Sequence, residues 1–212
     1  MNKHTLRTLS LLACCVATGV QLCYADAVQS LEKFLHNRTL GANFTQTVYG
    51  KKKNRVTTGS MEISRPNKFL WQYDDGQSII SDGEKIYLYD KSLQEVTIKK
   101  LTQSLGKSPA LLLAGGNDIK KYYTVVKKPD ADNLEWVSLI PIANKVADNN
   151  GFKLVDIGFN KQNQSLTQMK FVDGFDNKSS IEFTAVKVGV QYPNKTFMFK
   201  VPAGTDVINS NE

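Results

Sequence analysis

The residues equipped to do more than pack fall mainly in one stretch, Arg65 to Asp90. It begins Arg65-Pro66-Asn67-Lys68-Phe69-Leu70-Trp71-Gln72-Tyr73 and ends Ser81-Asp82-Gly83-Glu84-Lys85-Ile86-Tyr87-Leu88-Tyr89-Asp90. Phe69, Trp71 and Tyr73 alternate, so on a strand they share one face. Tyr87 and Tyr89 repeat the alternation after an Asp-Gly turn. The expectation is two strands that point large aromatics the same way, with Arg65 at the mouth between them. The chemistry this suits is the holding of an apolar ligand rather than its conversion.

Signatures of catalysis and metal binding are sparse elsewhere. Past residue 25 the chain has one histidine, His36, at the end of a helical segment, where a surface role is the ordinary one. No His-x-x-x-His pair, Gly-x-Ser-x-Gly elbow or phosphate loop occurs. Gly115-Gly116-Asn117-Asp118 reads as a helix stop. Asp74-Asp75 and Asp82-Gly83 lack the regular oxygen spacing of a calcium loop and read as turns. The basic residues are dispersed, and Lys51-Lys52-Lys53 carries no interleaved aromatics, which argues against nucleic acid. No metal and no cofactor is expected.

The N-terminus sets the compartment. Lys3 and Arg7 precede an apolar run, Leu9 to Leu22, that is too short to span a membrane. Cys23-Tyr24-Ala25 then offers a small-x-small cleavage site, so residues 1–25 read as a secretory signal peptide and the mature chain should start at Asp26. A signal anchor and a lipoprotein signal, with Leu11-Leu12-Ala13-Cys14 as its lipobox, are the rival readings. Cleavage removes Cys14, Cys15 and Cys23, which are all the cysteines, so the exported protein rests on its core alone. The net charge falls from +7 to +5, with 25 Lys and Arg against 20 Asp and Glu. Residues 26–212 fit one domain.

The elements that must position the aromatics are mostly strands. Ala27 to Arg38 carries Val28, Leu31, Phe34 and Leu35 at helical spacing and predicts one amphipathic helix. Alternating runs follow at Ala42–Tyr49, Val56–Ser64, Lys68–Asp74, Gln77–Ser81, Lys85–Asp90 and Glu95–Lys99, joined by turn residues. Leu101 to Leu105 is a short helical candidate. A second begins at Ser108, a candidate N-cap, with Pro109 first, Ala110 to Ala114 as its body and Gly115-Gly116 as its stop. Strands resume at Tyr122–Lys127, Glu135–Ile140, Phe152–Phe159, Ser165–Val172, Ser180–Val188 and Thr196–Lys200. The fold class is mainly β with a few helices. About a dozen antiparallel strands in one small domain must curl into a barrel or half-barrel. Leu111, Leu112 and Leu113 in succession need apolar neighbours on more than one side of their helix. That helix is either a plain core plug or a lid that can leave an apolar cavity.

The order of these features resembles the outer-membrane lipoprotein carrier family, LolA, across the whole mature chain. The resemblance rests on Asp26-Ala27, Ala42-Asn43-Phe44-Thr45-Gln46, Arg65-Pro66-Asn67-x-Phe69-x-Trp71 and Ser81-Asp82-Gly83-x-x-x-Tyr87-x-Tyr89. It continues through Lys107-Ser108-Pro109-Ala110-Leu111-Leu112-Leu113 and Phe197-x-Phe199-x-Val201-Pro202-x-Gly204. The Phe-Thr-Gln and Arg-Pro-Asn pieces at this spacing are the specific ones. The departures are Tyr87 and Tyr89, in a slot that accepts other aromatics, and Gly115-Gly116 after the second helix, which bears on hinge mobility.

The resemblance implies an unclosed antiparallel β-barrel, about eleven or twelve strands, covered by helices that act as a lid over an apolar cavity. It implies a periplasmic, monomeric carrier. Its partners would be triacylated lipoproteins, an inner-membrane ABC transporter that supplies them and an outer-membrane receptor lipoprotein that takes them. Arg65 is the candidate for lid closure, through backbone carbonyls of the Leu101–Ala114 segment; a strand-end arginine paired with a carboxylate is the alternative. Candidate acyl-chain residues are Leu35, Phe44, Met61, Ile63, Phe69, Trp71, Tyr87, Tyr89, Leu111, Leu112, Leu113 and Leu139. Alternation assigns these to faces without telling which face is concave. The rival functions are a lipid-anchored receptor of the same fold, and an exported β-barrel enzyme or inhibitor with a polar ligand.

Overall fold

The computed structural model describes residues 26–103, 108–115, 119–142 and 151–210. The signal-peptide expectation for residues 1–25 lies outside them. Helix α1, Ala27–His36, is capped by Asp26, whose side chain accepts from the Val28 N–H. It buries Leu31, Phe34 and Leu35. It stops two residues before the predicted end because Asn37 turns extended, and the carbonyl of Arg38 is taken by the Arg65 N–H at 2.7 Å.

Six strands follow: β1 (Thr39–Tyr49), β2 (Arg55–Ser64), β3 (Lys68–Tyr73), β4 (Gln77–Asp82), β5 (Lys85–Asp90) and β6 (Glu95–Lys100). A 3-10 turn at Leu101–Gln103, helix α2 (Pro109–Ala114) and helix α3 (Ile119–Tyr122) interrupt the strands midway, with part of the expected Leu101–Leu105 helix outside the described residues. Then come β7 (Tyr123–Ala131), β8 (Leu134–Pro141), β9 (Phe152–Asn160), β10 (Leu166–Asp173), β11 (Lys178–Val188) and β12 (Asp206–Ser210). They form one twelve-stranded sheet in the order β12-β6-β5-β4-β3-β2-β1-β11-β10-β9-β8-β7, with unpaired edges at β12 and β7.

The sheet is strongly curled. Four strand spacings of roughly 4.8 Å separate β9 from β2. Yet the single Phe34 ring lies 5.9 Å from Phe159 on β9 and 4.6 Å from the guanidinium of Arg65, the residue after β2. Helix α1 lies against β7, β8 and β9, and α2 against β2 and β3, so both helices fill the same face. That face carries the core: Leu40, Phe44, Met61, Ile63, Phe69 and Trp71 from one half, and Leu139, Val155, Ile157, Met169 and Ile181 from the other.

Two expectations fail at the C-terminus. Thr196–Lys200 is not a strand; Asn194–Phe197 is a 3-10 turn, followed by irregular chain. Pro193 and Pro202 bracket it, and neither can donate to a ladder. The Phe197 and Phe199 alternation serves another purpose, packing on the outer face against Tyr192 and against Tyr87 and Tyr89. The last strand is instead β12, and it pairs with β6 in parallel, so the sheet is not wholly antiparallel.

Candidate functional site

Register decides which side chains meet inside. Ile63 opposes Phe69, Phe69 opposes Ser81, and Ser81 opposes Ile86. Directly opposed residues share a face, so Phe69, Trp71, Ile86 and Leu88 point inward. Tyr87 and Tyr89 therefore point outward, contrary to expectation, against the Phe199 ring at 5.3 Å each. The Tyr87 hydroxyl donates to Asp82 at 3.0 Å. The other sequence-predicted cavity residues, Leu35, Phe44, Met61, Ile63, Phe69, Trp71, Leu111, Leu112, Leu113 and Leu139, are buried in one core cluster.

The aromatic floor of this interior is built from three strands. The Phe44 ring centre lies 4.6 Å from Trp71 and 5.3 Å from Tyr73, and Trp71 meets Phe183 edge-on at 6.4 Å. Phe44 can lie flat on the sheet because its neighbour is Gly59; a Cβ there would stand 2.7 Å from the ring. Helix α2 presses onto this floor with Leu111 and Leu113 nearly inaccessible and Leu112 buried as well. A helix of six residues with no exposed apolar side has no stability of its own; its place is set by what it touches.

Arg65 stands where the two helices end. Its Nε donates to the Leu113 carbonyl of α2 at 3.1 Å, and a terminal nitrogen donates to the Asn37 carbonyl that caps α1. Both acceptors belong to helix C-termini, where unpaired carbonyls and the helix dipole favour a cation. Its guanidinium also lies over the Phe34 ring. The Asn67 N–H adds a bond to the Ala114 carbonyl at 3.0 Å. Arg65 is buried, makes no ion pair among the described residues, and leaves one terminal nitrogen without a partner. Burial alone pushes its pKa from 12.5 down to about 10. At about 1.4 kcal/mol per tenfold, that is a cost of roughly 3 kcal/mol. Two charge-assisted bonds contribute about 1.5–3 kcal/mol each, and the ring contact about 0.5–2. The balance is favourable by only a few kcal/mol, which suits a latch rather than a permanent joint.

Against known proteins the match is broad. The family model for the outer membrane lipoprotein carrier protein LolA matches residues 36–200. The chain belongs to the LolA family. It is 37% identical over 203 residues to the outer-membrane lipoprotein carrier protein of Dechloromonas aromatica (strain RCB), covering 93% of this chain and 95% of that one. It is 38% identical over 191 residues to the carrier protein of Nitrosospira multiformis, covering 88% and 90%. Among solved structures, an uncharacterized conserved protein from Thermus thermophilus shares the fold at a TM-score of 0.51 and 8% identity, covering 86% of this chain and 96% of that one.

Within this LolA-family interior, several residues went unmarked in the sequence. Phe34 joins Arg65 to Phe159, and Ile86 and Leu88 take the inward positions assigned to the two tyrosines. Phe34 was visible as part of the helical stripe, but nothing in the stripe announced its contact with Arg65. The hydrogen-bond acceptor at Asn37 is a main-chain carbonyl, which leaves no trace in residue type.

Proposed function

We propose that this protein carries triacylated lipoproteins through the periplasm, shielding their acyl chains in the interior now filled by α2. Cleavage of residues 1–25 releases it there as a soluble monomer. It accepts cargo from an inner-membrane ABC transporter and delivers it to an outer-membrane receptor lipoprotein, without catalysing a reaction on it. The observation that carries this reading is an apolar interior plugged by the protein's own short helix, latched through an arginine that has no counter-ion among the described residues.

The energetics require such a plug. Each methylene withdrawn from water contributes about 0.8 kcal/mol, so three chains of roughly 40 methylenes together reach some 30 kcal/mol. Non-covalent affinities saturate near 20 kcal/mol, and a complex at that limit would not hand over its cargo. Displacing α2 on loading exposes Leu111, Leu112 and Leu113 and breaks the Arg65 bonds. Both costs subtract from the affinity, because only the differential between the two states counts.

The test uses residues 26–212 with inner-membrane vesicles that hold a newly made triacylated lipoprotein and the active transporter. The expected result is ATP-dependent release of the lipoprotein as a soluble one-to-one complex. Retention in the membrane, with the transporter shown to be active, would refute the carrier reading.

A further inference from the structure

The inner face has a second compartment that the lid does not fill. Toward the hairpin tips of β1–β2, β3–β4 and β5–β6 a cleft of about 320 Å³ opens from the same face as the aromatic floor. Ile79 and Leu88 line it and also pack against the buried core, so the cleft abuts that core. Beside them Gln46, Thr57, Gln77 and Thr97 contribute uncharged polar groups; charged Arg55, Asp75, Asp90 and Glu95 stand at strand ends and a turn around it. Opposed pairs bring the uncharged groups together, Gln46 with Thr57, and Leu88 with Thr97.

These groups are suited to an amide backbone. The Gln46 carbonyl oxygen is taken by the Tyr73 hydroxyl at 3.0 Å, which leaves its amide as a donor. The Gln77 amide is taken by Asp90 at 2.9 Å, which leaves its carbonyl as an acceptor. Thr57 and Thr97 have no side-chain hydrogen-bond partner among the described residues and can do either. Acyl chains would leave these donors and acceptors unpaired. The cleft also holds only about ten waters' volume at ~30 Å³ each, too little for three chains.

We infer that this cleft holds the first peptide amides of the cargo, just past its lipidated cysteine, while the acyl chains enter the space vacated by α2. This rests on the carrier reading, since the peptide reaches the cleft only if the chains enter beside it. The compartment would then read the polar start of a lipoprotein, giving the carrier a preference for acylated peptides over other lipids of equal chain length.

Residues 26–212 contain no cysteine, so a single introduced thiol reports its own surroundings. Thr97→Cys and Gln77→Cys place one in the cleft, and Ser60→Cys places one on the exposed outer face. The probes are synthetic triacylated lipopeptides with a cysteine at the third or the twelfth position carried as a thiopyridyl disulfide, which exchanges with the introduced thiol and releases thiopyridone; the twelfth position lies up to ~30 Å further along an extended chain. The expected result is disulfide formation at least tenfold faster for the third position than the twelfth in both cleft variants, with no such preference for Ser60→Cys. Equal rates at both positions would overturn the inference. So would a diacyl lipid without peptide that protects the Thr97→Cys thiol from alkylation as well as the lipopeptide does. Solubilisation of the lipopeptide is scored separately: if it fails in every variant, the carrier reading falls and this inference with it; if it succeeds without the preference, only the cleft assignment falls.

Discussion

Helices α1 and α2 fill the same interior but are held there by opposite means. Helix α1 is tied to the β7–β9 half by side chains along its length. Ser30 donates to the buried carboxylate of Glu135 at 3.0 Å, Lys33 reaches Gln164, and Glu32 pairs with Lys120. Its Phe34 ring packs on Phe159. Helix α2 has no side-chain hydrogen bond to the sheet among the described residues. Its polar ties to the sheet end on main-chain carbonyls, Leu113 and Ala114, and come from the turn after β2. Side-chain pairing fixes α1 as a wall. Carbonyl bonds from an arginine costly to bury hold α2, and in the proposed carrier cycle these are the bonds that break on loading.

The contrast can be broken first on the α1 side. Phe34→Ala removes the ring shared by Phe159 and Arg65, and should cost about 3–5 kcal/mol of stability, read as a lower urea midpoint. A change under about 1 kcal/mol would mean that α1 is not the wall described. On the α2 side, Leu111→Ala should do the reverse of what a core mutation usually does to a ligand. Removing apolar contacts from the plug weakens its competition by about 2 kcal/mol, so a fluorescent acyl probe should bind roughly 30-fold tighter. Weaker binding would place Leu111 among the cargo contacts rather than in the plug.

Smaller changes sharpen the picture. Ser30→Ala leaves the Glu135 carboxylate buried without its donor, and should cost about 1–3 kcal/mol while leaving probe affinity within about twofold. An equal shift in affinity would show that α1 moves on loading too. Tyr123→Phe is the smallest. The Tyr123 hydroxyl is buried without a partner among the described residues, so its removal should be neutral or stabilise by up to about 1 kcal/mol. Burial pushes this phenol up to about 12. Because burial resists ionisation of the phenol, the folded state is unaffected below about pH 10, its ordinary value, and loses stability as pH rises from there toward 12. The wild type should therefore lose more stability than Tyr123→Phe between about pH 10 and 12, in paired denaturation curves.

Much of this was legible in the sequence. The strands from β1 to β11 and the helix start at Pro109 stand close to where local pattern placed them, although Ser108 occupies the N-cap position without a side-chain capping bond. What was not legible depended on register. In β5 the residues at both parities are apolar, Ile86 and Leu88 on one and Tyr87 and Tyr89 on the other, so amphipathicity cannot choose the inward face. Only the pairing of Phe69 through Ser81 to Ile86 does. Strand β12 was hidden for the opposite reason: Val207 and Ile208 are adjacent, half-exposed and without alternation. The Leu113 carbonyl falls within the Leu101–Ala114 segment expected to supply acceptors for Arg65; the Asn37 carbonyl could not be foreseen, since a bond made to main chain writes nothing into side-chain identity.

The latch itself is tested most directly by Arg65→Leu, loaded with a triacylated lipoprotein and mixed with acceptor membranes that carry the receptor. Without the bonds to the Leu113 and Asn37 carbonyls the empty closed state loses a few kcal/mol relative to the loaded one. Loading should therefore persist and transfer should fall by about tenfold or more. Normal transfer with weakened loading would contradict the account.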